Sequence, residues 1–340
     1  MPGASIKEAP AFARRLRSDR AAMIAEWTRS AGLMISVSII MAACAGPETI
    51  RGQCSFDDPP FGKDRRGNAT SGTAVAVTRQ GHWLTAAHVV RHCSDIVILT
   101  GNSMMLRAVF VAAEAEKDLA ILQTDPVESV VPLQRDTWPA QGEKHFAIGF
   151  PSRHLRSVDL LFFRRFRCIE PSRPAQGAAQ VIRGDMQGWV APSQAPPFNR
   201  SEARGLSGGP ILSAQGRLVG MAVGVKEPFP DPTKRSSMCN LHARIGIDRA
   251  NGMPGGALCS GLQVFAAGHE MIGEMLEANG IGTEDPAASP SFDSIAAGTD
   301  LAAHLRSKGV VGEAICVTGE MDGQWKAPAL GSEKFRRNKQ

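Results

Sequence analysis

From Thr73 to Val225 short apolar runs alternate with polar breaks that carry Gly, Asn, Pro or charge, a spacing that predicts many short strands rather than long helices. Thr73–Thr78 and His82–Thr85 flank the turn Gln80-Gly81 and read as a hairpin. Asp95–Thr100, Met104–Val111 and Asp118–Gln123 follow as further β-like runs. A second set opens at His145 (HFAIGF) and continues through Val158–Ile169 and Gln180–Ile182. It ends in a hairpin over Pro210–Val225 that turns at Ala214-Gln215-Gly216. This pattern predicts a pair of β-barrels or sandwiches with a boundary near Leu133–Gly142. Beyond Lys226 the texture shifts to Pro, Gly, Ser and Ala. Helices are predicted there over Val264–Ala278, closed by Asn279-Gly280, and over Asp293–Lys308, closed by Gly309. Residues 281–292 read as a linker, and the chain ends in a basic tail.

Ahead of this body the pattern differs. Ala31–Ala43 is an uncharged run of 13 residues behind Arg29, which fits the apolar core of a secretory signal and is too short to span a bilayer comfortably. The blander reading is a buried core helix. Export is therefore expected, with the mature chain periplasmic, secreted or lipid-anchored to a bacterial membrane. Ala43-Cys44-Ala45 fits a signal-peptidase site, whereas Met41-Ala42-Ala43-Cys44 resembles a lipobox with Met41 in place of the usual Leu. The membrane enters as a partner only through that segment or a lipid on Cys44.

Composition narrows the function classes. With 340 residues, 43% apolar and 21% charged, the chain has the balance of a folded protein, not of a disordered or collagen-like one. Its net charge is +5, but 32 basic and 30 acidic residues remain after Ala43, so no basic footprint marks nucleic acid as a partner. The cysteines are Cys44, Cys54, Cys93, Cys168, Cys239, Cys259 and Cys316. Loss or lipidation of Cys44 leaves an even set. No C-x-x-C pair and no His at zinc spacing accompanies them, which favours disulfides over metal and predicts neither metal nor cofactor. Cys54 with Cys93 and Cys239 with Cys259 are the pairings singled out.

The chemistry concentrates in Gly205-Leu206-Ser207-Gly208-Gly209-Pro210. Glycines on both sides of one Ser let the backbone bend so that the amides of Gly205 and Ser207 converge. Such donors stabilise an oxyanion, and the loss of one typically costs ~3 kcal/mol. A Ser hydroxyl is a weak nucleophile and needs a base. Thr85-Ala86-Ala87-His88 offers one, with small residues leaving room beside the imidazole. The base in turn needs its tautomer held, and Asp118, heading the apolar run Leu119–Leu122, is the candidate. Taken singly, these fit a glycine turn, a packed histidine and a solvated strand-entry acid; together and in this order they point to nucleophilic catalysis.

TAAH at 85–88, DLAIL at 118–122 and GLSGGP at 205–210 resemble, in order, the three signature blocks of the trypsin-like (chymotrypsin-fold) serine peptidases, in particular the compact bacterial exported branch. The resemblance covers about residues 54–226. It implies two packed six-stranded antiparallel β-barrels with the site between them. In that site His88 is general base, Asp118 its orienting acid and Ser207 the nucleophile, with the Gly205 and Ser207 amides as oxyanion hole. It implies a protein or peptide substrate and no cofactor. The resulting organisation is a signal or anchor over 1–45, a first barrel over 54–138, a second over 139–240, and a C-terminal extension with short helices and unknown role over 241–340. Met221–Val225 resembles the strand that pairs with substrate, which marks Val223, Gly224 and Val225 as substrate-binding; Val225 replaces a frequent glycine and implies a shallow pocket. Ser201 resembles the pocket floor, and its neutrality argues against a preference for Lys or Arg. Leu206 stands where zymogen-activated members carry an Asp, so that switch is absent and active-site assembly rests on something else.

Two rivals remain. Gly205-Leu206-Ser207-Gly208-Gly209 also satisfies the G-x-S-x-G elbow of α/β-hydrolases. That motif wants a helix directly after the Ser and a His downstream, whereas here Pro210 opens a hairpin and TAAH lies upstream. The second rival is a catalytically silent, protease-like binding or scaffold module.

Overall fold

A computed structural model describes residues 48–50, 55–56, 70–91, 93–135, 137–168, 180–181, 184–191, 203–226, 261–283 and 298–317. The expected signal segment, Ser201 and the cysteines Cys44, Cys54, Cys239 and Cys259 lie outside them. The short strands β1 (Glu48–Ile50), β2 (Ser55–Phe56) and β10 (Gln180–Val181) stand outside the two barrel rings, β2 pairing with β10.

The first barrel is built from β3 (Thr70–Ala76), β4 (His82–Ala86), β5 (Asp95–Thr100), β6 (Met105–Glu114), β7 (Leu119–Gln123) and β15 (Val311–Val317). Its ring runs β15-β3-β4-β7-β6-β5 and closes where β5 pairs with β15. The second is built from β8 (Lys144–Gly149), β9 (Arg156–Cys168), β11 (Gly184–Ala191), β12 (Pro210–Leu212), β13 (Leu218–Lys226) and β14 (Leu262–Gly268). Its ring runs β9-β11-β14-β13-β12-β8 and closes through β8–β9. All these pairings are antiparallel, and the fold is the two-barrel architecture that the resemblance implied.

Local chemistry accounts for the framework. The β3–β4 turn needs glycine at Gly81, where φ is +94° and a Cβ would come within 2.5 Å of the carbonyl oxygens of Thr124 and Asp125. Trp83, Leu84, Ile98, Ile121 and Leu122 are fully buried in the first barrel, as are Ile148, Leu160, Met186 and Trp189 in the second. The indoles keep polar partners: Trp83 Nε1 donates to Thr124 Oγ1 at 3.0 Å, and Trp189 Nε1 donates to Gln187 Oε1 at 3.1 Å. After Ser207 the chain enters strand β12 directly, which removes the α/β-hydrolase reading.

Three strands depart from the sequence expectation. Leu262–Gly268 is strand β14, and the helix predicted from Val264 starts only at His269 as α2 (His269–Ala278). β14 lies between β11 and β13 and is buried on both faces, so its apolar residues run continuously and mimic a buried helix. β11 carries Asp, Gln and two glycines and gave no strand signal. β15 follows α3 (Gly298–Lys308) and inserts between β3 and β5. The 241–340 segment is therefore not an appendage: it supplies one strand to each barrel.

The cysteine pairing is corrected too. Cys93 bonds Cys316 across 223 residues, stapling β15 beside the segment after His88, in place of the expected Cys54–Cys93 pair. The partner is set by a β15–β5 register, Cys316 opposite Ile96, that no local spacing reveals.

Candidate active site

Strand pairing positions the first two side chains. β4 and β7 place Ala86 opposite Leu119, so the residues just beyond meet: Ala87 N–H donates to Asp118 O at 3.0 Å. The chain then turns into the short helix α1 (Ala87–Val90), which carries His88. Asp118 accepts twice from this one residue, Oδ1 from the His88 backbone N–H at 2.9 Å and Oδ2 from His88 Nδ1 at 2.6 Å. The carboxylate is fully buried, and these bonds offset its desolvation. An ionised carboxylate only accepts, so this contact requires the ring proton on Nδ1. Asp118 adopts φ +53°, a left-handed conformation that Asp tolerates better than most residues. Its neighbour Lys117 turns away to Glu114 at 2.9 Å and Glu274 at 3.0 Å.

Ser207 comes from the second barrel, on the loop that leads into β12. Gly208, at φ +77°, packs against the first barrel so closely that a Cβ would sit 2.2 Å from Thr73 O, 2.5 Å from Thr85 Oγ1 and 2.8 Å from Ala86 N. This contact sets Ser207 against the TAAH turn. Gly72 completes the fit, its missing Cβ falling 2.6 Å from Val89 Cγ2 and 2.9 Å from Ser207 O. The structure thus brings His88, Asp118 and Ser207 into one region, with Ser207 8% exposed.

The loop's amides divide into two sets. Leu206 N–H donates to Ala203 O at 2.9 Å, Gly208 N–H to Ala222 O at 2.8 Å and Gly209 N–H to Leu206 O at 2.7 Å. Among the described residues no acceptor lies on the amides of Gly205 or Ser207. Since Leu206 C=O turns inward to Gly209, the trans peptide directs Ser207 N–H the opposite way. Thr73 holds the arrangement from the first barrel, its Oγ1 donating to Gly205 O at 2.6 Å and its N–H to Ser207 O at 2.8 Å.

β13 supplies a backbone edge. It pairs with β12 as far as Met221 and with β14 as far as Lys226, with a register shift between Ala222 and Gly224. Among the described residues, Val223, Gly224 and Val225 have no strand partner on the β12 side. Such an edge can take an extended peptide. No group of three or more His, Cys, Asp or Glu among the described residues could hold a metal ion.

Residues 72–221 match the family described as the trypsin-like peptidase domain. These residues carry a domain of the trypsin-like peptidase family. A curated relative is named a protease: the chain is 27% identical over 165 residues to Protease Do-like 1, chloroplastic, of Arabidopsis thaliana. That stretch is 46% of this chain and 34% of the relative, so the chain spans about a third of that protein's length. Among solved structures, the Rv3671c protease of M. tuberculosis in its inactive form has a TM-score of 0.42 at 16% identity, covering 63% of this chain and 89% of that one. The HtrA-type protease AlgW with decapeptide has a TM-score of 0.41 at 20% identity, covering 61% and 51%. The serine endoprotease from Yersinia pestis has 0.39 at 19% identity, covering 62% and 57%.

Two features of this peptidase domain escaped the sequence. Thr73 lies in an ordinary β-rich run, and only the packing of one barrel on the other shows its two bonds to the Ser207 loop. The helix α1 is a single short turn, too brief for any periodicity.

Proposed function

We propose that this chain is a serine endopeptidase in which His88, Asp118 and Ser207 act as a triad on a protein or peptide substrate. His88 Nε2 takes the proton of Ser207 as Oγ attacks the scissile carbonyl, and the carbonyl oxygen gains negative charge opposite the Gly205 and Ser207 amides. The C–N bond then breaks as the imidazolium returns its proton to the leaving amine. Water, deprotonated by the same imidazole, hydrolyses the resulting acyl-enzyme. Asp118 stays ionised and fixes the tautomer. The observation that carries this reading is the buried Asp118 carboxylate, engaged at both oxygens by His88.

Val223, Gly224 and Val225 would pair with the substrate backbone, and Ser201 would form the floor of a neutral pocket. Metal and cofactor play no part in this scheme. The apolar Ala31–Ala43 run supports export, to the periplasm or medium or to a lipid anchor at Cys44. The alternative is a catalytically silent, protease-like binding or scaffold module. Cleavage of an unfolded protein substrate decides between them: the wild type should degrade it and Ser207→Ala should not, with both equally folded. Equal cleavage by the two would remove the assignment.

A further inference from the structure

The site includes a loop whose geometry the chain must hold without the Asp of zymogen-activated relatives, since Leu206 stands there and is 1% exposed. The Gly205 side of that loop rests on the turn after β8. At φ +93° Gly205 lies so close that a Cβ would sit 2.4 Å from Phe150 O and 3.3 Å from Pro151 Cα. Phe150 N–H faces both Gly205 O at 3.4 Å and Thr73 Oγ1 at 3.2 Å. Any shift of the Phe150–Arg153 turn therefore moves Gly205.

Arg153 ends that turn, its N–H donating to Phe150 O at 3.0 Å, and it adopts φ +65°. A long side chain in the left-handed region is uncommon and costs of order 1 kcal/mol, so some contact must keep it there. One contact among the described residues is ionic, without a hydrogen bond: Arg153 Nε lies 3.6 Å from Glu313 Oε1. Glu313 is 4% exposed in the middle of β15, a place where a carboxylate is costly unless paired. Antiparallel pairing sets Glu313 directly opposite Thr73, so the two side chains leave β15 and β3 on the same face, the face from which Thr73 reaches Gly205 O.

We propose that Glu313 and Arg153 are positioning residues: their ion pair fixes the Phe150–Arg153 turn and, through it, the Gly205 amide that receives the oxyanion. This gives the C-terminal strand a part in catalysis beyond closing the barrel. The proposal rests on the assignment of Ser207 as nucleophile. It touches no substrate atom, so its removal should lower kcat and leave KM nearly unchanged.

Three variants, Arg153→Gly, Arg153→Lys and Glu313→Gln, test it in the full chain, read by steady-state kinetics and by hydrogen exchange of the 203–209 segment. Arg153→Gly removes the guanidinium and at the same time relieves the left-handed backbone, so its melting temperature should match or exceed wild type. Its kcat should nevertheless fall about 10- to 100-fold, the scale of a misplaced or missing oxyanion donor. Arg153→Lys, which keeps the charge, should recover much of that loss. Exchange in 203–209 should quicken in Arg153→Gly and Glu313→Gln while the segment carrying His88 stays unchanged. A folded Arg153→Gly with wild-type kcat, or with unaltered exchange in 203–209, overturns the proposal. If the wild type itself cleaves nothing, the serine-peptidase assignment fails, and the exchange result still decides whether the pair holds the loop.

Discussion

The two barrels equip the site in opposite ways. The first contributes side chains: His88 and Asp118 stand just beyond paired strand ends, and Thr73 reaches out of β3. The second contributes the Ser207 hydroxyl and otherwise backbone: the amides of Gly205 and Ser207 and the stretch of β13 that β12 leaves unpaired. Side-chain chemistry placed on adjacent strands needs only the register between them, whereas backbone chemistry on a glycine loop needs an outside surface to hold the loop. Thr73, Thr85 and Ala86 of the first barrel form part of that surface. The first barrel is in turn incomplete until β15 arrives from the far end of the chain.

The largest effect should come from the side-chain half. Asp118→Asn keeps the shape and suits φ +53°, so the fold should survive, but it presents the wrong tautomer to Ser207 and should lower kcat about 10⁴-fold, the scale of that exchange in a Ser-His-Asp triad. A loss of less than about tenfold, measured on a short ester or peptide substrate, would show that His88 is not held by this carboxylate. Next comes the staple on the first barrel. Replacing Cys93 and Cys316 together by Ser frees β15 and should cost about 3 kcal/mol of stability in urea unfolding. An unchanged midpoint would mean that pairing alone closes the ring. Gly208→Ala attacks the contact between the barrels: its Cβ would meet Thr73 O at 2.2 Å with φ at +77°. It should cost on the order of 2 kcal/mol and, unlike the cysteine change, abolish turnover even where the protein is folded.

The smallest effect belongs to the interior of the second barrel. Burial lowers the pKa of His145 below 6.5, and the nearby Glu143 opposes this only in part. The unfolded state then binds the proton more readily, so stability is complete above about pH 6.5 and declines as pH falls from there toward the folded value. His145→Phe, stacked on Trp189 in its place, should unfold with a flatter dependence between neutral and mildly acidic pH. An unchanged slope would remove His145 as its source.

What the sequence disclosed follows the same division. TAAH and the Asp118 run were legible because each adjoins the end of a short, regular strand whose apolar pattern and turn residues are local, and β5 appears with the expected bounds, Asp95–Thr100. The GLSGGP loop was legible as chemistry but not as geometry, because Thr73 and Phe150, which help to hold it, are far away in sequence. β14 and β15 were missed for a related reason. Their residues are buried on both faces or paired with strands more than a hundred positions away, so no local period announces them. Glu313 gave no signal at all: an acid within a strand reads as solvent-facing until its burial is known.

On this reading Ser207 is a nucleophile activated by His88. Titration of the full chain with a fluorophosphonate, followed by mapping of the adduct, tests it most directly. One equivalent should attach to Ser207, be absent in Ser207→Ala and form at least about a thousandfold more slowly in His88→Ala. An unreactive Ser207, an adduct on another residue, or labelling that does not depend on His88 would contradict it.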